Sequence, residues 1–187
     1  MADARVVRTR ASLRGALVEL LSEQPFEALT VREIAARAGV GYATFFRRYR
    51  DKEALLYEIN EDLMSELLSR LLPGMGRGDT GATAAELCRF VRANEALCRA
   101  VLAGGGEDVV RAETVRRAIA RIAALRPRDV ADVETELAIF HSVSATLNLL
   151  GWWLRTHAEL DAGRMAGAIE ALVLTPTTRW RTGAPAR

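Results

Sequence analysis

Apolar and polar residues alternate with a helical period along most of the chain. Between Arg8 and Gln24, apolar side chains recur at spacings of three and four, which predicts an amphipathic helix ended by Pro25. Residues 1–7 lack such a pattern and are expected to form a disordered arm. A second pattern over residues 51–72 predicts a helix that is too long to belong to a small module alone.

Between these two patterns, residues 30–50 predict two short helices joined by a tight turn. Thr30 is followed three residues later by Glu33, which is the spacing of a capping box at a helix start. Gly39 supplies the left-handed residue that ends the first helix. A second helix is predicted over residues 42–49. The pair has the pattern of a helix-turn-helix, whose second helix can lie in the major groove of DNA.

The remaining sequence is helical in pattern as well. The glycine-rich stretch PGMGRGDTG at residues 73–81 predicts a loop. Helices are then expected over five stretches: 82–93, 94–103, 107–125, 129–156 and 161–174.

These elements amount to nine helices and no strand, so the predicted fold class is all-α with two domains. The chain has 187 residues, of which 50% are hydrophobic, enough for a sizeable core. We expect a three-helix head over residues 1–52, a six-helix body over residues 53–176 and a disordered tail over residues 177–187.

Charge is unevenly distributed between these parts. Residues 1–52 contain ten Lys or Arg and six Asp or Glu, whereas the remainder contains 16 basic and 18 acidic residues. The basic excess therefore lies with the helix-turn-helix, as expected for contact with nucleic acid.

Catalytic and metal-binding motifs are poorly represented. Cys88 and Cys98 are ten residues apart, which suits neither a redox pair nor a zinc site, and His141 and His157 form no metal-binding pair. We therefore expect no enzyme activity, no cofactor and no metal. The N-terminus is polar and no apolar run approaches a membrane span, so the expected location is the cytoplasm and no membrane partner is expected.

The stretch F-x-x-L-T-V-R-E-I-A-A-R-A-G-V-x-x-A-T-F-F-R-R-Y-x-x-K-E-A-L-L, from Phe26 to Leu56, resembles the TetR (AcrR-like) family of bacterial transcriptional regulators. The resemblance implies a homodimer that binds a palindromic double-stranded DNA operator and is released by a small-molecule effector. A repressor is the first hypothesis. The alternatives are an activator of the same fold, or a helical ligand carrier or enzyme that retains the helix-turn-helix shape.

The resemblance also implies DNA-binding residues. Positions that commonly touch phosphates are Thr30, Tyr42, Arg48, Tyr49 and Lys52, and positions that can reach base edges are Tyr42, Ala43, Thr44 and Arg47.

Physical arguments qualify this set. The guanidinium of Arg47 suits guanine O6 and N7, and Lys52 lies near a helix start where a phosphate can bind. Tyr49 can also be interpreted as an aromatic ring in the core, and Thr30 as a structural helix cap. Gly41 departs from the family pattern, because a serine or threonine hydroxyl is usual there.

Two sets of body residues are candidates for binding. Polar side chains recur along one stripe of the helix predicted over 129–156, so they either line a ligand cavity or bond across a dimer interface. The tentative ligand-binding set is Phe90, Leu97, Leu102, Ile119, Phe140, His141, Ser144 and Asn148. The tentative dimer interface is Trp152, Trp153, Ala162, Gly163, Ala166 and Gly167, in which small residues would allow two helices to approach closely.

Overall fold

The structure is a computed structural model that describes residues 2–102, 116–117, 119–122, 124 and 133–182. Helices make up most of these residues and none of them forms a strand, which confirms the all-α prediction. Part of the helix predicted over 107–125 lies outside the described residues, but those described between 116 and 124 are helical.

The head contains three helices and the start of a fourth. The order is α1 (Ala2–Glu23), a 3₁₀ turn (Phe26–Ala28), α2 (Val31–Arg37), α3 (Tyr42–Phe46) and α4 (Lys52–Arg77).

The described helices that follow α4 form the body. They are α5 (Thr80–Ala93), α6 (Glu95–Leu102), the helical residues described between 116 and 124, α7 (Val133–Thr156), α8 (Ala162–Ile169), a π-helical turn (Glu170–Leu174) and α9 (Thr175–Thr182).

The chain divides into two compact units, and the division falls within α4. The first unit extends to Leu63 and the second begins at Met64, whereas the sequence predicted a boundary after residue 52. The head includes the start of α4 because Leu55 and Leu56 are almost completely buried in its core. A long helix can therefore contribute to two cores in succession.

In the first unit, α1 packs against α2, and α2 packs against α3. The fully buried side chains of Leu13, Leu17, Ile34 and Phe45 form the centre of this core. Burial of each such side chain contributes about 1.5–3 kcal/mol of hydrophobic stabilisation.

In the second unit, α5 packs against α8 and α6 packs against α7. Trp153 is completely buried there, and its indole Nε1 donates to the Leu160 carbonyl at 3.0 Å. The guanidinium of Arg92 lies 4.2 Å from the Trp153 ring centroid and also donates to the Leu160 carbonyl at 2.8 Å. These contacts hold the end of α7 against α5.

Two segments that were predicted to be irregular are helical. The arm expected over residues 1–7 belongs to α1 from Ala2 onwards, and α4 continues through Pro73 to Arg77. Only Gly78 and Asp79 separate α4 from α5. Gly78 has φ +70° and begins a Schellman ending, in which its amide donates to Met75 and the Asp79 amide donates to Gly74. The ending therefore lies at Gly78, the third of the four glycines in the stretch.

The tail predicted to be disordered over residues 177–187 is helical as far as Thr182. The amide of Thr175 donates to the Glu170 carbonyl, so the turn before Pro176 is one residue wider than an α-turn. The Thr177 hydroxyl also donates to the Val173 carbonyl at 2.7 Å, four residues earlier, as threonines within helices often do. The π-helical turn thus lets a proline lie inside a continuous helical segment.

Helix α7 is long and apolar enough to cross a membrane when length and composition alone are considered, with a mean hydropathy of 1.3. The sequence analysis did not anticipate this. Ten of its residues are nevertheless buried within the second unit, among them Trp153 and Leu154. We therefore interpret α7 as the central helix of that unit.

Candidate nucleic-acid interface and ligand cavity

Helix α2 is defined by local hydrogen bonds at both of its ends. The Thr30 hydroxyl accepts from the Glu33 amide at 3.2 Å, while the Glu33 carboxylate accepts from the Thr30 amide at 2.7 Å. This confirms the predicted capping box. Gly39, with φ +65°, then ends α2 in a Schellman arrangement that includes a bond from the Val40 amide to the Ala35 carbonyl.

Helix α3 is shorter than the predicted 42–49 helix. It spans Tyr42–Phe46, and Arg47 is its C-terminal cap. Gly41 occupies the N-cap position with φ −68° and ψ 145°, and no side chain caps the helix there. A Cβ atom at Gly41 would lie 3.7 Å from the Thr44 hydroxyl oxygen, which is an ordinary contact. The backbone therefore has room for the hydroxyl residue that the sequence lacks.

The outer surface of α3 carries an aromatic and basic cluster. Tyr42 is 53% exposed, and Ala43, Arg47 and Arg48 are exposed beside it. Arg47 Nη2 donates to the half-buried Thr44 hydroxyl at 2.8 Å, which orients the guanidinium along the helix. No acidic residue occurs between residues 41 and 50. This surface is therefore suited to contact with a polyanion.

Two residues of this surface were absent from the predicted set. Phe46 is 45% exposed, and its ring centroid lies 5.0 Å from that of Tyr42 in an edge-to-face arrangement. The guanidinium of Arg32 on α2 lies 6.0 Å from the Tyr42 ring centroid. The four-residue spacing between Tyr42 and Phe46 was visible in the sequence, but the adjacent phenylalanines Phe45 and Phe46 did not show which ring faces the core.

The position of Tyr49 argues against its predicted contact with DNA. Its side chain is buried, and its hydroxyl donates to Glu58 Oε1 at 2.7 Å. Burial and this hydrogen bond raise the pKa of Tyr49 to about 12. The hydroxyl therefore stabilises the head from inside, because its hydrogen bond is made to Glu58.

Glu58 connects α4 with α1 as well as with Tyr49. It accepts from Arg10 Nε at 2.7 Å and from Arg14 Nη1 at 3.4 Å. Partial burial alone would raise the pKa of Glu58, but the hydrogen bonds from Arg10 and Tyr49 outweigh it, so the pKa lies below its ordinary value.

Lys52 and Thr30 also have internal partners. Lys52 Nζ donates to the carbonyls of Phe26, Glu27 and Leu29 at 2.9, 3.2 and 2.8 Å, and it lies 4.7 Å from the Phe26 ring centroid. An ammonium group has three donors. The three acceptors are two carbonyls of the 3₁₀ turn and that of Leu29 directly after it, so a phosphate would compete with them. Thr30 serves the capping box.

A cavity of about 200 Å³ lies within the second unit. It is bordered by α4 from Met64 to Met75, by α7 from Thr135 to Leu147, and by residues of α5 and α9. Apolar side chains from α4 and α7 form most of its surface, and hydroxyl side chains provide most of the polar groups.

None of the eight residues predicted to bind a ligand lines this cavity. Three of them are buried in the core of the second unit: Phe90, Leu97 and Leu102. The predicted polar stripe lies on another face of α7, where Phe140, His141 and Asn148 are exposed and Ser144 is half-buried, and Ile119 is half-buried too. The lining is instead supplied by the adjacent α7 residues Ser142 and Thr146. The three-and-four spacing identified a face of the helix, but its orientation depends on packing.

Some of the residues predicted to form the dimer interface are exposed, and others are buried. Trp152 is 43% exposed and Gly163 and Gly167 are exposed, whereas Ala162 is half-buried. Trp153 and Ala166 are buried within one copy of the chain, so they are removed from the predicted interface. Adjacent tryptophans on a helix point to different sides, and only one of them can face outwards.

Comparison with known proteins defines the class of the head. Residues 13–59 match the sequence model for bacterial regulatory proteins of the tetR family. Over 70 residues the chain is 34% identical to YxbF of Bacillus subtilis, described as an uncharacterized HTH-type transcriptional regulator. That match covers 37% of this chain and 18% of the relative's length. The chain therefore carries the helix-turn-helix domain of a DNA-binding transcriptional regulator.

Solved structures extend the likeness to the remaining helices. A TetR transcriptional regulator from Streptococcus agalactiae is 21% identical with a TM-score of 0.64, and the match covers 92% of this chain and 97% of that one. The TetR-family regulator PfmR from Thermus thermophilus is 23% identical with a TM-score of 0.56, covering 88% and 94% of the two chains. These two likenesses concern the fold. Residues 13–59 therefore form a TetR-type helix-turn-helix domain, as the sequence predicted. A domain of this type is that of a transcriptional regulator rather than of an enzyme.

Proposed function

We propose that this protein is a cytoplasmic, homodimeric repressor that binds a palindromic DNA operator through α3 and is released by a small molecule. The observation that carries the proposal is the exposed surface of α3 and the two residues after it, where Tyr42, Arg47 and Arg48 are exposed and no acidic residue occurs between residues 41 and 50. Helices of this kind dock into the major groove, where side chains reach base edges.

Within this surface, the residues divide into two roles. Arg47 is the proposed reader of a guanine, because its fork is oriented by Thr44 and is otherwise exposed. Ala43 and Phe46 offer apolar contact to thymine methyl groups. Tyr42 and Arg48 are the proposed phosphate contacts. Thr30 and Lys52 are proposed as further phosphate contacts, in which a phosphate replaces part of their internal hydrogen bonds.

A second copy of the chain is the proposed partner of α7. Apolar side chains are exposed along that helix at Val133, Leu137 and Phe140, which are 77%, 54% and 55% exposed, and the stripe continues to Trp152. An exposed apolar stripe of this length marks an interaction surface. Beyond α8, Leu172 is 67% exposed. Together with Gly167, it extends the proposed interface, which a two-fold axis would pair with itself.

The cavity is the proposed effector site, in place of the residues predicted from sequence. Helix α4 contributes Met64 and Leu71 to its lining and Lys52 and Glu58 to the head. An effector that binds better to one position of α4 would shift the population between operator-binding and free forms. The same arrangement would serve an activator, so the sign of regulation is decided by measuring reporter output with and without the protein.

Binding of DNA upstream of the protein's own gene tests the proposal. A mobility-shift assay is expected to give a retarded complex, and footprinting is expected to protect two half-sites about 34 Å apart. The apparent affinity should fall steeply with salt, because arginines displace counterions from phosphates. Absence of binding to any fragment of a random DNA library would refute a role in DNA recognition.

A further inference from the structure

We propose that the effector is an uncharged, extended aliphatic molecule with one neutral oxygen-containing group, such as a medium-chain alcohol. This inference deepens the proposed effector site and rests on it. Three properties of the cavity carry the inference: its length, the distribution of its hydroxyl groups and its lack of basic side chains.

The cavity is long and narrow. Its lining on α4 extends from Met64 to Met75 and its lining on α7 from Thr135 to Leu147, which correspond to about 16 Å and about 18 Å at the rise of an α-helix. A volume of about 200 Å³ distributed over that length leaves a slender channel. A flexible chain fits such a shape better than a fused ring system does, and the two methionines can adjust to its contour.

One group of polar lining residues lies near the junction of α4 and α5. Asp79 and Thr80 line the cavity at the junction of α4 and α5, and Thr177 and Thr178 line it from α9. The hydroxyl oxygens of Thr80 and Thr175 lie 3.3 Å apart, which places the start of α9 beside the start of α5. At the other end, α4 contributes only Met64, Leu67 and Leu68. A molecule with one polar end and one apolar end matches this division.

Along the channel, α7 adds three more hydroxyl groups, those of Thr135, Ser142 and Thr146. Ser142 and Thr146 are four residues apart, so they lie on one face of the helix, and both line the cavity. Within the described part of the chain, neither hydroxyl has a hydrogen-bond partner. They can therefore donate to or accept from a neutral oxygen on a bound molecule.

Charge complementarity argues against an ionic effector. The lining residues that the structure describes include no lysine, arginine or histidine. A carboxylate or phosphate in this channel would therefore be desolvated without a counter-charge, at a large cost in free energy. The one ionisable lining residue is Asp79, and its carboxylate accepts the Ala82 amide at 2.8 Å as the cap of α5. A cation would have to share that carboxylate with the helix.

The test uses three probes with the same chain and different head groups: n-decanol, decanoate and decylammonium. Isothermal titration of the full-length protein without DNA, at pH 8 and below the micelle concentration of each probe, should show n-decanol binding at least about tenfold more tightly than either ion. Equal affinities would overturn the requirement for a neutral head group. Tighter binding of either ion, or no binding of any of them, would overturn the proposed class.

Two serines on α7 provide a matched pair of variants. Ser142→Ala should weaken n-decanol binding about three- to tenfold, because a hydrogen bond to the probe is lost. Ser144→Ala, at a residue outside the lining, should leave it unchanged. Equal effects of the two substitutions would contradict binding in this channel. Release of DNA by n-decanol is measured separately, so binding without release would refute the regulatory role of the cavity and leave the ligand class intact.

Discussion

Replacing Tyr49 with phenylalanine distinguishes a core residue from a DNA contact. In the structure the Tyr49 hydroxyl is 2.7 Å from Glu58 Oε1 and the side chain is only 7% exposed. Removing a hydrogen bond to a carboxylate in this setting is expected to cost about 1–2 kcal/mol of unfolding free energy. The equilibrium between folded and unfolded forms should therefore shift about five- to thirtyfold.

The pH dependence of that loss follows from the two pKa shifts. The pKa of Tyr49 is raised, so the stability that its hydroxyl contributes is complete below the ordinary tyrosine value near 10 and disappears as the pH rises towards 12. The pKa of Glu58 is lowered, so the contribution is also lost as the pH falls below the ordinary glutamate value of ~4.3. The difference between wild type and Tyr49→Phe should be largest between pH 5 and pH 9, as rough limits.

Urea unfolding followed by circular dichroism measures the stability, and a mobility-shift assay measures DNA affinity. Tyr49→Phe should lower the free energy of unfolding. At a temperature where the variant is folded, its DNA affinity should stay within about twofold of wild type. Tyr42→Phe is the matched control, because Tyr42 is 53% exposed on the α3 surface and should affect DNA binding alone. Unchanged stability of Tyr49→Phe, together with a salt dependence reduced by about one phosphate contact, would refute the internal role of Tyr49.

Three further predictions concern individual side chains. Gly41→Ser should stabilise the head by a few tenths of a kcal/mol in urea unfolding, because its backbone is extended and a hydroxyl can cap α3, whereas Gly41→Ala should not. Trp153→Ala should cost about 3–5 kcal/mol because the ring is fully buried, while Trp152→Ala should weaken self-association in sedimentation experiments; the reverse pattern would contradict the assignment. Burial raises the pKa of Cys88 to about 11 and that of Cys98 to about 12, so neither thiol should react with a thiol reagent at pH 8 until the protein unfolds.

The sequence predicted the elements of the head well because their signals are local. The capping box of Thr30 and Glu33 and the left-handed Gly39 depend on residues within a few positions of one another. Helix α3 was predicted to be too long, since its ending at Phe46 has no glycine or proline to mark it.

The errors in the second unit concern tertiary contacts. Pro73 and Pro176 are strong breakers in a local analysis, yet both lie within helical segments of the structure. Near Pro176, a π-helical turn accommodates the proline, and the Thr177 hydroxyl makes a further bond to the Val173 carbonyl. Spacing also did not show which face of α7 lines the cavity, because that choice depends on how α4, α5 and α9 pack around it.

The most direct test of DNA recognition by α3 compares two arginines of the head. Arg47 is exposed on the proposed interface, whereas Arg37 is bound to Glu23 at 2.7 and 2.8 Å. The dissociation constant for the operator should rise about five- to 150-fold in Arg47→Ala, which corresponds to about 1–3 kcal/mol, with little change for non-cognate DNA. Arg37→Ala should bind both DNAs as wild type does. Equal affinity of Arg47→Ala and wild type for the operator, across a range of salt concentrations, would contradict recognition through this helix.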